Sequence, residues 1–114
     1  MSTLLILNDP PYGTERSFNG LRMAKALAAA NDEVTVFLMA DAVSCAKHGQ
    51  KVPEGFYNLE LMLKAVLRKG QVLLCGTCMD ARGITEADVI EGARRSSMKE
   101  LADETLAADK VLVF

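Results

Sequence analysis

A chain of 114 residues, half of them hydrophobic but only 5% aromatic, suits one compact domain and leaves no room for two. For this mass the area scaling laws give about 6,100 Å² exposed when folded against roughly 17,800 Å² unfolded, so a core can form without staples. Thirteen Lys and Arg against fifteen Asp and Glu give a net charge of −2, spread along the chain, which excludes the concentrated basic footprint of a nucleic-acid binder.

Met1-Ser2-Thr3 leads into Leu4 without a basic segment or a cleavage site, and no apolar run reaches the roughly 18 residues of a membrane span. A cytoplasmic protein with no membrane partner is expected. Leu4–Leu7 reads as a buried strand that ends at Asn8-Asp9-Pro10-Pro11, since proline lacks the N–H and Asx side chains favour turns. From Thr14 to Ala30, Phe18, Leu21, Met23, Ala24, Leu27 and Ala28 recur at helical spacing. Val34–Met39 is β-branched and nearly all apolar, as in a strand covered on both faces. Residues Ala40 to Tyr57 show no sustained period and read as a long, partly helical excursion.

Asn58 is positioned to cap a helix carrying Leu59, Met62, Leu63, Val66 and Leu67, with Lys69-Gly70 as its stop. Val72–Leu74 is a third strand that runs straight into Cys75-Gly76-Thr77-Cys78, read as a flexible Gly-containing turn. Thr85–Asp88 resembles a helix start, and residues 92 to 96 are ambiguous between loop and short strand. Ser97-x-x-Glu100 is a capping box before Leu101, Ala102, Thr105 and Leu106, and Lys110–Phe114 closes as an apolar strand. Short apolar strands alternating with amphipathic helices predict a single α/β domain over residues 1–114, with a mostly parallel sheet of about five strands and helices on both faces. Ligands of such sheets bind beyond the carboxyl strand ends, where the loops starting at Asn8, Ala40 and Cys75 emerge.

Cys45, Cys75 and Cys78 are too few, and odd in number, for a disulfide framework. Cys75 and Cys78, however, place two thiols within reach at a strand end, where one sulfur can attack and the other resolve. A thiolate is the reactive species, and Arg82 with the following helix start are candidates to lower its pKa. The bland alternative is two small buried hydrophobes. Cys45-x-x-His48 with Cys75 and Cys78 also makes a Cys₃His set of the kind that closes around zinc; against it, Lys47, Gln50 and Lys51 mark a solvated loop, and no metal or other cofactor is expected. Asn8, Asp9, Tyr12 and Gly13 are candidates for an anion cradle at the start of the first helix. With no G-x-G-x-x-G or Walker pattern they do not point to nucleotide. Asp41 is a rim carboxylate that either orients a partner group or caps a turn, and Arg94-Arg95 reads as a solvated pair.

Asn8-Asp9-x-Pro11-Tyr12-Gly13-Thr14, Asp41-Ala42-Val43, Gly49-Gln50-Lys51, Cys75-Gly76-Thr77-Cys78-Met79-Asp80-Ala81-Arg82-Gly83 and Ala108-Asp109-Lys110-Val111-Leu112 together resemble the DsrE/DsrF-like family, especially its YchN-like branch. The resemblance implies an α/β domain assembling as a homo-oligomer, trimer or hexamer. It also implies that sulfur is carried as a persulfide on a cysteine, between donor and acceptor proteins, as in the DsrE and TusD types. The family's sulfur-accepting cysteine corresponds to Cys75, which follows the third strand and precedes the Arg82-Gly83 pair. Cys78 is shared with the YchN-like branch, whereas the clear relay proteins lack it; Cys45 and His48 lie outside the family pattern. Three readings stay open: a sulfur carrier, a dithiol redox protein using Cys75 and Cys78, and an oligomeric binding or assembly module without catalysis.

Overall fold

A computed structural model describes all 114 residues. Five strands, β1 (Ser2–Leu7), β2 (Glu33–Leu38), β3 (Gln71–Cys75), β4 (Arg94–Ser96) and β5 (Lys110–Val113), form one sheet. Its order is β4-β3-β2-β1-β5, and every pairing is parallel. The helices are α1 (Arg16–Ala29), α2 (Leu59–Leu67), α3 (Gly76–Ala81) and α4 (Met98–Ala107). The chain thus steps outward from β1 to β4 and crosses back to lay β5 on the far side of β1. The exposed surface of 6385 Å² agrees with the size expected for one close-packed domain.

Strand register decides which helix covers which face. Leu7, Leu38 and Leu74 lie side by side in the register, and the α1 face is so tight that a Cβ on Gly20 would meet Leu7 Cδ2 and the Phe114 ring. Leu4, Thr35 and Gln71 share the opposite face, where Gln71 Nε2 donates to Thr35 Oγ1 at 3.0 Å and to Glu104 of α4 at 3.1 Å. Phe37, Leu4, Leu5, Leu7, Leu38, Leu73 and Leu74 are fully buried. Each contributes about 1.5–3 kcal/mol through removal from water, which is why strands with no polar alternation assemble at the centre of the sheet.

The predicted elements are present, with local differences. The first helix begins at Arg16 rather than Thr14, because the Thr14 hydroxyl is drawn back to Asp9 at 2.6 Å. The excursion opens with a 3₁₀ turn over Ala40–Ala46, and Thr85–Asp88 is a single 3₁₀ turn closed by its own capping box rather than the start of a longer helix. Residues 92 to 96 resolve as the short edge strand β4. No helix is long and apolar enough to cross a membrane.

Candidate functional site

Cys75 ends β3 and is also the residue preceding α3, so the Cys75-Gly76-Thr77-Cys78 segment is not a flexible turn but the first turn of a helix. Met79, fully buried, anchors that helix, and both Arg82 and Ile84 return their amides to its carbonyl at 3.0 Å. Cys75 is buried, with 7% of the residue exposed. Burial, followed by the hydrogen bond with the Cys78 thiol, pushes the Cys75 thiol above its ordinary range; the amides of Cys78 and Thr77 oppose this without overcoming it. The expectation of a low-pKa thiolate is therefore corrected for the single chain: desolvation outweighs a short helix start.

Cys78 is half-buried, and its sulfur accepts the Ala40 amide at 3.2 Å. Ala40 has φ of 52°, a left-handed backbone that alanine rarely adopts. The sulfur thus holds the strained exit of β2 against α3. Arg82 does not supply a free field to the thiols. Its Nε and Nη2 each lie 2.9 Å from Asp41 Oδ1, and Nη1 donates to the Cys78 carbonyl at 3.1 Å. Of the two roles read for Asp41, the structure places it as the partner that orients Arg82, clasping the loop after β2 onto α3.

A second cation stands nearer the Cys75 backbone than sequence reasoning placed it. Arg95 pairs across the sheet with Leu74, and its Nη1 and Nη2 grip Asp80 of α3 at 2.8 and 2.9 Å. A Cβ on Gly76 would lie 2.8 Å from the Cζ and Nε of Arg95. The guanidinium therefore lies against the main chain of the residue following Cys75, and Arg95 is not a simply solvated arginine. Arg95 holds the Asp80 carboxyl below the usual range. Only strand pairing brings these residues together, and no local signal in the sequence announces it.

The loop after β1 uses its polar groups internally. Asn8 holds the Phe114 carbonyl through its amide N–H and side chain at 3.1 and 3.2 Å. The Asp9 carboxylate accepts from Thr14, and its carbonyl accepts from Ser17 at 2.7 Å and from Cys45 Sγ at 3.7 Å. Tyr12 donates to Gln50 and accepts the Leu59 amide at 3.2 Å, while Gly13 packs on Pro10. Asp9 and Tyr12 thus join the first loop to the excursion and to α2, while Asn8 ties it to the C-terminus and Gly13 stays within the loop; the geometry is that of a clasp rather than an open anion cradle. Gln50, which also bonds the Cys45 and Lys47 carbonyls at 2.8 Å and takes Glu60 on its amide at 2.9 Å, is the hub of that clasp.

The Cys₃His set is not assembled. Cys45 is buried against Asp9, its thiol pushed up to about 12 chiefly by desolvation. His48 Nε2 sits 2.9 Å from the Ala87 carbonyl, and no three His, Cys, Asp or Glu residues converge on a metal position. The Cys45-x-x-His48 half is itself split, Cys45 drawn into the core against Asp9 and His48 held at the surface against Ala87.

The model of the DsrE/DsrF-like family matches residues 1–114. Protein YchN of Escherichia coli K12 is 44% identical over 114 residues, covering 97% of each chain. The crystal structure of that E. coli protein superposes with a TM-score of 0.90 over the whole of both chains. A protein named TusC homolog from Vibrio parahaemolyticus is 27% identical over 119 residues and spans both chains in full. With the family model matched from end to end and the YchN architecture reproduced throughout, this chain belongs to the DsrE/DsrF-like family, in its YchN-like branch.

Proposed function

We propose that the protein is a sulfur carrier of the cytoplasm that holds a persulfide on Cys75. The observation that carries this reading is the position of Cys75: the last residue of a buried strand, at the sheet's carboxyl edge, immediately before the short helix whose first turn carries a second thiol, Cys78. Family membership and the similarity to a TusC homolog support a role related to sulfur relay. In the transfer, the Cys75 thiolate attacks the outer sulfur of a donor persulfide. A new S–S bond forms, the donor's S–S bond breaks, and its electron pair leaves on the donor's thiolate; nothing is oxidised overall. Cys78 can then attack the inner Cys75 sulfur, expelling the outer one as hydrosulfide and leaving a Cys75–Cys78 disulfide that a dithiol reductant must reopen.

The spacing of Cys75 and Cys78, three positions apart across the end of β3 and the first turn of α3, also favours a second reading, a dithiol redox protein. It requires a reversible disulfide with a measurable potential in a glutathione titration. The partners on the carrier reading are donor and acceptor proteins and further copies of the chain. An apolar groove of about 830 Å³ between α1 and α2, floored by Phe18, Leu21, Ala24 and Met62, supports homo-oligomeric assembly as a trimer or hexamer. So do Met98, 60% exposed, and Leu106, 87% exposed, on α4. Sedimentation as a monomer would remove the assembly component.

The deciding experiment treats reduced protein with glutathione persulfide and records intact mass. Wild type and Cys45→Ser are expected to gain the mass of one sulfur, Cys78→Ser to retain it longer, and Cys75→Ser to gain none. Equal labelling of Cys75→Ser and wild type would overturn the assignment.

A further inference from the structure

We propose that Arg95 is a positioning residue of this site: its guanidinium, laid across Gly76 by Asp80, stabilises negative charge on the Cys75 sulfur and on the thiolate that leaves the donor. The inference rests on the reading of Cys75 as the sulfur-accepting thiol and adds the cation that serves it. Three observations converge on it. Register fixes the Arg95 Cα opposite Leu74, with Cys75 opposite Ser96, so the arginine starts one step from the site. Asp80 engages Nη1 and Nη2 in a paired contact, which orients the guanidinium plane and leaves Nε without a hydrogen-bond partner in the chain.

That Nε is 2.8 Å from where a Gly76 Cβ would stand, so any side chain at position 76 would displace the cation from the Cys75-Gly76 backbone. Gly76 has helical rather than left-handed backbone; what the absence of a side chain provides here is close approach. Arg95 is about two-fifths exposed, which lets it meet an anion arriving from solvent. Asp80 first, then Glu86 and an ionised Cys75, hold Arg95 in its charged form. Of the neighbouring arginines, Arg82 commits all three nitrogens to Asp41 and the Cys78 carbonyl, and Arg94 grips Glu100 on α4 as Arg95 grips Asp80. Cys78, on the first turn of α3, is a further titratable group near Cys75.

The chemistry asks for such a group at two moments. Negative charge sits on Cys75 before attack, and an equal charge appears on the donor's inner sulfur as the S–S bond breaks. A fixed cation beside the path stabilises both without taking or giving a proton, because arginine stays charged throughout.

The test is the pH dependence of Cys75 alkylation by iodoacetamide, with Cys75 resolved from Cys78 by fragmentation, in wild type, Arg95→Gln, Arg95→Lys and Asp80→Asn. Loss of the cation in Arg95→Gln is expected to raise the midpoint by roughly half a pH unit, and Arg95→Lys to restore part of it. Asp80→Asn, which frees the same cation from its counter-charge, is expected to lower the midpoint. Both changes break one ion pair, so a purely structural role would move the two midpoints in the same direction. That result, or an unmoved midpoint in Arg95→Gln, would overturn the proposal. Should Arg95→Gln lose its fold by circular dichroism, Asp80→Asn decides alone: a lowered midpoint supports the proposal and a raised or unchanged one refutes it. Alkylation needs no sulfur donor, so a wild-type protein that accepts no persulfide would sink the carrier function while leaving the role of Arg95 to be decided here.

Discussion

Replacing Cys78 by alanine separates the two tasks of that sulfur. In the folded chain it accepts the Ala40 amide at 3.2 Å in a partly buried position; an amide left without an acceptor there costs about 1–3 kcal/mol. Ala40 is held at φ 52°, a conformation that costs an alanine roughly 1–2 kcal/mol, so relaxation of the turn returns part of the loss. The net destabilisation is expected near 1–2 kcal/mol of a total of about 5–15 kcal/mol, or about 4–8 °C in Tm for a chain of this size. Burial is the main cause that keeps the Cys75 proton in place, and the Cys78 thiol adds to it; the same substitution removes that second part. Cys75 alkylation should therefore become faster at neutral pH while the protein melts earlier. Cys78→Ser, which keeps an acceptor, should recover part of the melting temperature. Calorimetry and alkylation on the three proteins check this. A Cys78→Ala protein melting within a degree of wild type, with no gain in Cys75 reactivity, would refute the reasoning.

Two further outcomes follow from the frame that carries the site. A Cβ on Gly70 would fall 2.2 Å from the Val34 carbonyl oxygen, and since both groups belong to backbone, Gly70→Ala must part α2 from β2. The expected cost is about 1–3 kcal/mol or more, read as a lower urea midpoint, whereas an unchanged midpoint would show that the junction yields freely. Stability should also fall at both pH extremes. Burial raises the Glu60 carboxyl, but the Gln50 amide, Lys64 and the Gly49 amide together bring it below its ordinary 4.5. The stability it contributes is thus full above that value and lost as pH falls further. The Cys45 thiol, pushed up to about 12 from 9.0, stabilises the fold only while neutral, so its contribution is full below about pH 9 and lost as pH rises toward 12. Unfolding profiles of Glu60→Gln and Cys45→Ala, each flatter than wild type on its own limb, check the assignments.

The parallel α/β architecture was legible in the chain because Leu4–Leu7, Val34–Leu38 and Val72–Leu74 have no polar alternation, and only a sheet covered on both sides removes such strands from water. The Asn58 cap, the Ser97 cap and the Cys75/Cys78 pair were equally local signals, although the predicted Ser97–Glu100 box is only half made, the Glu100 carboxylate turning to Arg94 and Ser96. Asn58 accepts the Leu61 amide at 3.1 Å and Ser97 the Glu100 amide at 3.2 Å. Hydrogen bonds within one helical turn depend on spacing alone, so sequence suffices to place them. The ionic partners of the thiols were not legible in this way. Arg82 turned to Asp41, 41 positions away in the chain, and Arg95 reached Gly76 only because β4 pairs beside β3.

What the residues alone determined was periodicity, capping and the presence of a thiol pair at a strand end, since each depends on neighbours within a few positions. What the tertiary structure decided was the electrical environment of that pair: how far burial suppresses ionisation, which arginine is committed and which leaves a donor free. Charge interactions depend on distance through space and on exclusion of water, and neither is set until the strands are in register.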